Sequence, residues 1–164
     1  MNRRIGIVLS MLVIAGSFTL YGAQSSGQLE RKAIKLPNKF VNAPFSDGIV
    51  FGDTLYLAGR IGIDPKTGKV PEKIEDEIKL LLDGEKDVLA QAGMTMDDLA
   101  YVQVFCTDLS LFERFNPIYK TYFTKDYPAR AFIGAGSLLV GGHFELQAIA
   151  VRHQYLMGVK DAKP

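Results

Sequence analysis

A single cysteine, Cys106, excludes an intrachain disulfide. It lies in the apolar run at residues 101–106, so it reads as a small core hydrophobe rather than a nucleophile. The two histidines, His143 and His153, show no ligand spacing with Cys106 or with each other, so the chain carries no metal-binding cluster. Net charge is nearly absent, at +1, and no basic stripe interleaved with aromatics occurs, which leaves no case for nucleic acid. Gly134, Gly136, Gly141 and Gly142 gather late in the chain. They lack the strand-to-helix setting of a phosphate loop, which argues against nucleotide binding.

What remains is an ordinary globular composition, 48% hydrophobic and 23% charged, on a chain of one-domain length at 164 residues. The first segment differs from the rest. Arg3 and Arg4 precede an apolar run at residues 5–20, and small and polar residues follow at 22–27. That three-part layout predicts a secretory signal peptide over residues 1–23, with cleavage near Ala23. The apolar run is short for an uncleaved membrane span, which needs about 20 residues. No cysteine follows the run, so a lipoprotein anchor is excluded. Cleavage removes two arginines and no acids, leaving 17 basic against 18 acidic residues, and predicts an exported, periplasmic or secreted, protein with no remaining membrane segment.

Residues 24–41 read as an N-terminal lead-in, with residues 33–36 a candidate edge strand. Residues 49–51 and 54–59 are two strand runs, and Gly52-Asp53 fits a tight turn between them. Asp64-Pro65-Lys66-Thr67-Gly68 is a turn in which proline presets one dihedral and glycine supplies a positive φ. Ile74, Ile78, Leu81, Leu82, Val88, Leu89 and Ala92 recur at helical spacing and predict a helix over 74–92. Gly84 weakens its middle by about 1 kcal/mol relative to alanine, and Gly93 fits the position just past its end. A strand is expected over 100–107. Asp108-Leu109-Ser110 then offers capping residues to a second helix over 111–123, whose aromatic stripe reads as core. Pro117 inside that helix predicts a kink or a late start. Strands are expected at 130–135 and 144–153, and residues 156–164 form a tail. This order lacks regular βαβ alternation and predicts an α+β domain with two helices on one face of a mixed sheet. Two helices are too few to cover so much apolar strand, so part of the sheet is expected to meet another subunit.

Arg130 stands at the mouth of an apolar strand, behind Tyr127-Pro128-Ala129. An inward-facing guanidinium is permanently charged, can grip a carboxylate with two parallel hydrogen bonds, and is costly to bury unpaired. Two readings stand side by side: a structural ion pair or surface arginine, and a site for an external anion.

Several stretches together resemble the Rid family of reactive intermediate deaminases, also called YjgF/YER057c/UK114. They are Asn42-Ala43-Pro44-Phe45-Ser46-Asp47-Gly48, Leu55-Tyr56-Leu57-Ala58-Gly59-Arg60-Ile61, Asp64-Pro65-Lys66-Thr67-Gly68, and Val104-Phe105-Cys106-Thr107-Asp108-Leu109 running on to Asn116. Tyr127-Pro128-Ala129-Arg130 and Glu145-Leu146-Gln147-Ala148-Ile149-Ala150 complete the set. The matches span residues 42–153, within a domain set at 42–155. The resemblance implies a chorismate-mutase-like α+β fold assembled as a homotrimer, with ligand clefts between subunits. It also implies hydrolysis of imines and enamines such as 2-aminoacrylate to a keto acid and ammonia, without metal or cofactor.

By the same resemblance, Arg130 holds the substrate carboxylate, while Gln147 and the retained Asn116 orient water. Phe45, Ala58, Gly59, Phe132 and Glu145 fall at substrate-lining positions. Four positions depart from the family pattern. Gln147 replaces a glutamate, Phe45 a tyrosine, Ala58 a serine, and Phe132 a residue that is often cysteine. Glutamine can orient water through its amide oxygen but takes no proton at neutral pH. Glu145 shares a strand face with Gln147 and is a candidate substitute base, with a structural role equally open. A non-catalytic trimer that binds small carboxylates or protects other proteins is the competing reading. Chorismate mutase, a third reading by fold analogy alone, requires a second cation in the cleft, for which Arg60 is the candidate.

Overall fold

A computed structural model describes residues 30–37 and 43–152. The expected signal peptide and the tail at 156–164 lie outside the described residues, as does most of the lead-in.

Among the described residues six strands form one mixed sheet in the order β1-β2-β3-β6-β4-β5. They are β1 Arg31–Ile34, β2 Gly48–Phe51, β3 Thr54–Ile61, β4 Leu99–Cys106, β5 Ala129–Gly134 and β6 Phe144–Val151. Only β4 and β5 run parallel; every other neighbouring pair is antiparallel. The parallel pair needs a crossover, and α2, Phe112–Lys120, supplies it. The other helix is α1, Ile74–Gln91. The expected α+β class, with two helices on one face of a mixed sheet, is the observed one.

The α1 stripe faces the sheet. Ile78, Leu81, Leu82, Val88 and Leu89 are fully buried against Leu55, Val102, Val104, Leu146 and Ala150. Each such side chain stabilises by about 1.5–3 kcal/mol relative to exposure. Gly93, at φ 69, ends the helix: its N–H reaches Ala90 and that of Met94 reaches Leu89, satisfying two terminal carbonyls. Gly52, at φ 61, turns the β2–β3 hairpin in two residues, as its sequence suggested. Gly68 closes the expected turn on the Asp64 carbonyl.

Two expectations are corrected. The second helix is shorter than 111–123. It begins at Phe112, after a 3₁₀ turn at Leu109–Leu111 in which the Asp108 side chain accepts from the Ser110 N–H. It therefore starts five residues ahead of Pro117 rather than at it. It stops at Lys120 because the N–H groups of Thr121, Tyr122 and Phe123 turn to carbonyls three residues back. Gly84 is also more than a weak point in α1. It is buried, and a Cβ there would stand 2.6 Å from Cδ of Arg60. The missing side chain makes room for that arginine's stem.

Arg60 belongs to a buried polar group. Its Nη2 donates to Asp47 Oδ1 at 2.8 Å, and its Nε lies 3.6 Å from Glu85 Oε1. Burial pushes the Glu85 carboxyl up to about 8, with Arg60 opposing. Cys106 is buried, as expected for a core thiol, and burial raises its pKa.

The sheet face away from the helices carries Phe51, Tyr56, Tyr101, Ile133 and Val151, all exposed. These residues alternate with the buried set along their strands. An apolar face of this extent is the surplus that the strand composition foreshadowed.

Candidate functional site

Arg130 is the second residue of β5 and pairs in register with Val102, which is fully buried. Alternation therefore turns its side chain toward α2. There its Nη2 donates to Oδ1 of Asn116 at 2.7 Å. The guanidinium carbon lies 4.6 Å from the Tyr119 ring centre and 5.8 Å from those of Phe112 and Phe132. Phe132 meets Phe112 edge-on at 5.0 Å, so the rings fix one another as well as the cation. Among the described residues no carboxylate lies within ion-pair distance of Arg130.

The cation opens on a shallow cleft of about 290 Å³ lined by Asn116, Tyr119, Lys120, Tyr127, Pro128 and Arg130. Among the described residues the lining contains two cations and no acid. Asn116 gives its oxygen to Arg130, so its amide N–H groups remain as donors. Such a cleft attracts an anion and offers it directional bonds.

The remaining sequence candidates lie elsewhere in the same protomer. Gln147 pairs in register with Gln103 on the opposite face of the sheet, and its Nε2 donates to the Gln103 Oε1 at 3.2 Å. It borders a separate depression of about 180 Å³ with Tyr56, Leu57, Tyr101, Ala148 and Ile149. Glu145 shares that face. A Cβ at Gly59 would fall 2.1 Å from the Glu145 carboxylate, so the glycine leaves the space that the carboxylate occupies. Ala58 sits at the register shift between Leu57 and Arg60, with its N–H on the Asp47 carbonyl. Phe45 is 54% exposed and borders a third depression, on the loop before β2, with Arg31, Lys35 and Ile49.

One copy of the chain thus brings Arg130, Asn116 and Phe132 together, and on the opposite face Glu145, Gln147 and Gly59. Two groups were not anticipated from sequence, Tyr119 and Lys120. Tyr119 was absorbed into the aromatic stripe of α2, although its spacing of three from Asn116 places both on one helix face. The suggestion that Arg60 could act as a second cleft cation fails. Its charge is already matched by Asp47 and directed at Glu85, so the chorismate mutase reading loses the cation it named.

This fold and this cation define a class: a small α+β domain with a helix-backed arginine beside an acid-free cleft. The family described as Endoribonuclease L-PSP matches residues 37–152, and the chain belongs to that family, which includes the Rid proteins. The reactive intermediate deaminase TdcF of Escherichia coli K12 is 32% identical over 112 residues, covering 66% of this chain and 87% of its own. The 2-iminobutanoate/2-iminopropanoate deaminase of Bos taurus is 34% identical over 110 residues, covering 66% and 80%. Among solved structures, the E. coli YjgF gene product superposes with a TM-score of 0.69 at 31% identity, covering 74% of this chain and 99% of that one. E. coli TdcF with bound serine gives 0.66 at 30%, covering 74% and 94%.

Proposed function

We propose that the chain is an exported deaminase of reactive imine and enamine acids resembling 2-aminoacrylate, releasing a keto acid and ammonia. The observation that carries this reading is Arg130, a half-buried cation that has no acid partner among the described residues and opens on a cleft with no described acid in its lining. The names of the relatives support it, as does a relative holding serine, a small molecule with a carboxylate. Export rests on the sequence of residues 1–23 alone.

In the proposed reaction Arg130 grips the substrate carboxylate and presents the C=N carbon. Water adds to that carbon, the nitrogen takes a proton, and ammonia leaves as the carbonyl forms. Imines hydrolyse readily in water, so orientation alone contributes. Gln147 orients water through its amide oxygen, and Glu145, on the same strand face, stands in as the base that takes the proton. Because Arg130 and Gln147 occupy opposite sheet faces, a complete site requires Arg130 of one copy against Gln147 of another. The apolar face carrying Tyr56 and Tyr101 is where copies would meet, and a homotrimer is the proposed assembly.

One observation favours a second reading, a trimeric carboxylate-binding protein without turnover: the Gln147 amide is held by Gln103 and no acid stands at its position. The assay supplies purified protein with enzymatically generated 2-aminoacrylate and follows keto acid above the solvent rate. The deaminase reading expects acceleration that Arg130→Ala abolishes and Gln147→Glu increases. No acceleration by the parent, with a large gain in Gln147→Glu, establishes the second reading.

A further inference from the structure

Tyr119 is 3% exposed, and its hydroxyl oxygen is buried without a hydrogen-bond partner. Buried hydroxyls are nearly always satisfied, and an orphan costs stability unless something else uses it. Tyr119 also lines the cleft onto which Arg130 opens, and its ring is nearer the guanidinium carbon than those of Phe112, Phe115 and Phe132. The ring is fixed in place, stacked on Phe115 at 5.6 Å and packed on Phe123 at 4.8 Å. Its hydroxyl is therefore preset rather than free to seek another partner.

We infer that the Tyr119 hydroxyl is a binding group of this site, donating a hydrogen bond to the same carboxylate that Arg130 grips. The inference rests on the carboxylate-binding reading of Arg130 and adds a neutral donor that nothing else assigns. Three kinds of donor then converge on one anion: the N–H groups of Arg130 not given to Asn116, the amide of Asn116, and the phenol of Tyr119. A charge-assisted bond from a neutral donor on a fixed ring adds affinity and direction, and because the hydroxyl oxygen is shielded in the empty protein, the groups covering it shift as the ligand arrives. Burial pushes the Tyr119 pKa up to about 12, with Arg130 opposing, so the phenol keeps the proton it must donate. The orphaned hydroxyl of the empty protein is satisfied only in the complex, which exchanges stability of the free protein for affinity.

The test uses pyruvate as the probe, titrated by calorimetry into wild-type protein, Tyr119→Phe and Arg130→Ala, with melting temperatures measured without ligand. Phenylalanine keeps the ring contacts and removes only the hydroxyl. Tyr119→Phe is expected to raise the dissociation constant about tenfold or more, the size of a charge-assisted hydrogen bond. It is also expected to leave the melting temperature unchanged or raised. In the deaminase assay it raises KM more than it lowers kcat. Affinity within twofold of wild type, or a lowered melting temperature with affinity intact, overturns the inference. If Arg130→Ala abolishes binding while Tyr119→Phe retains it, only Tyr119 loses its role. If wild-type protein does not bind pyruvate, both this inference and the reading beneath it fall.

Discussion

Replacing a glycine inside a helix with alanine normally stabilises by about 1 kcal/mol, because alanine loses less backbone freedom on folding. Gly84 should do the opposite. Its added Cβ would lie 2.6 Å from Cδ of Arg60, 3.1 Å from Nε and 3.2 Å from Nη1. The arginine stem cannot swing aside freely, because Asp47 holds its Nη2 at 2.8 Å and Glu85 faces its Nε at 3.6 Å. Overpacking of this kind costs about 1–3 kcal/mol, and loosening a buried ion pair costs up to about 3–5 kcal/mol. Together they exceed the propensity gain, so Gly84→Ala should lower stability by about 1–3 kcal/mol net. In an Arg60→Ala background the obstacle is gone, and the same substitution should stabilise by up to about 1 kcal/mol. Urea denaturation of the four proteins at one pH, 6, measures both steps, with Glu85 protonated in the native wild-type chain. A stabilising Gly84→Ala in the wild-type background, or no reversal of sign in the Arg60→Ala background, refutes the packing of Arg60 over Gly84.

The same buried group predicts a pH dependence. Folding raises the Glu85 carboxyl from 4.5 to about 8, so between these values the native chain holds a proton that the unfolded chain has released. The Glu85 contribution is complete below 4.5 and is lost as pH rises toward 8. Glu85→Gln should flatten that decline in melting temperature, and parallel profiles for the two proteins would contradict it. Asn116→Asp places an acid on Arg130 at the position of the present 2.7 Å hydrogen bond. It should weaken pyruvate binding about tenfold or more while leaving the fold intact, since the cation then has an internal partner. Unchanged affinity in that variant would remove Arg130 from the carboxylate site.

Much of this molecule is legible along the chain because its signals are local. The α1 stripe, the Gly93 end and the Asp64–Gly68 turn each depend on residues within a few positions of one another, and each appears where the spacing placed it. The features that escaped depend on pairings between distant segments. Whether Arg130 faces helix or solvent is decided by its register with Val102, twenty-eight positions earlier. The purpose of Gly84 is decided by a side chain on β3. Tyr119 looked like one more core ring because stripe periodicity reports which face a residue takes, and says nothing of whether its hydroxyl finds an acceptor. The separation of Arg130 from Gln147 follows from strand order, which no local pattern encodes.

Among the described residues the last strand made, β6, lies between β3 and β4 rather than at an edge. Until it is synthesised, the earlier segments amount to two fragments, β1 to β3 with α1 and β4 to β5 with α2, each ending in an unpaired edge. The Glu77 carboxylate waits as well, since the N–H groups that donate to it belong to His143, 66 residues downstream, and Phe144. The keystone therefore arrives last, and a chain terminated before Phe144 lacks the strand that joins the two parts of the sheet.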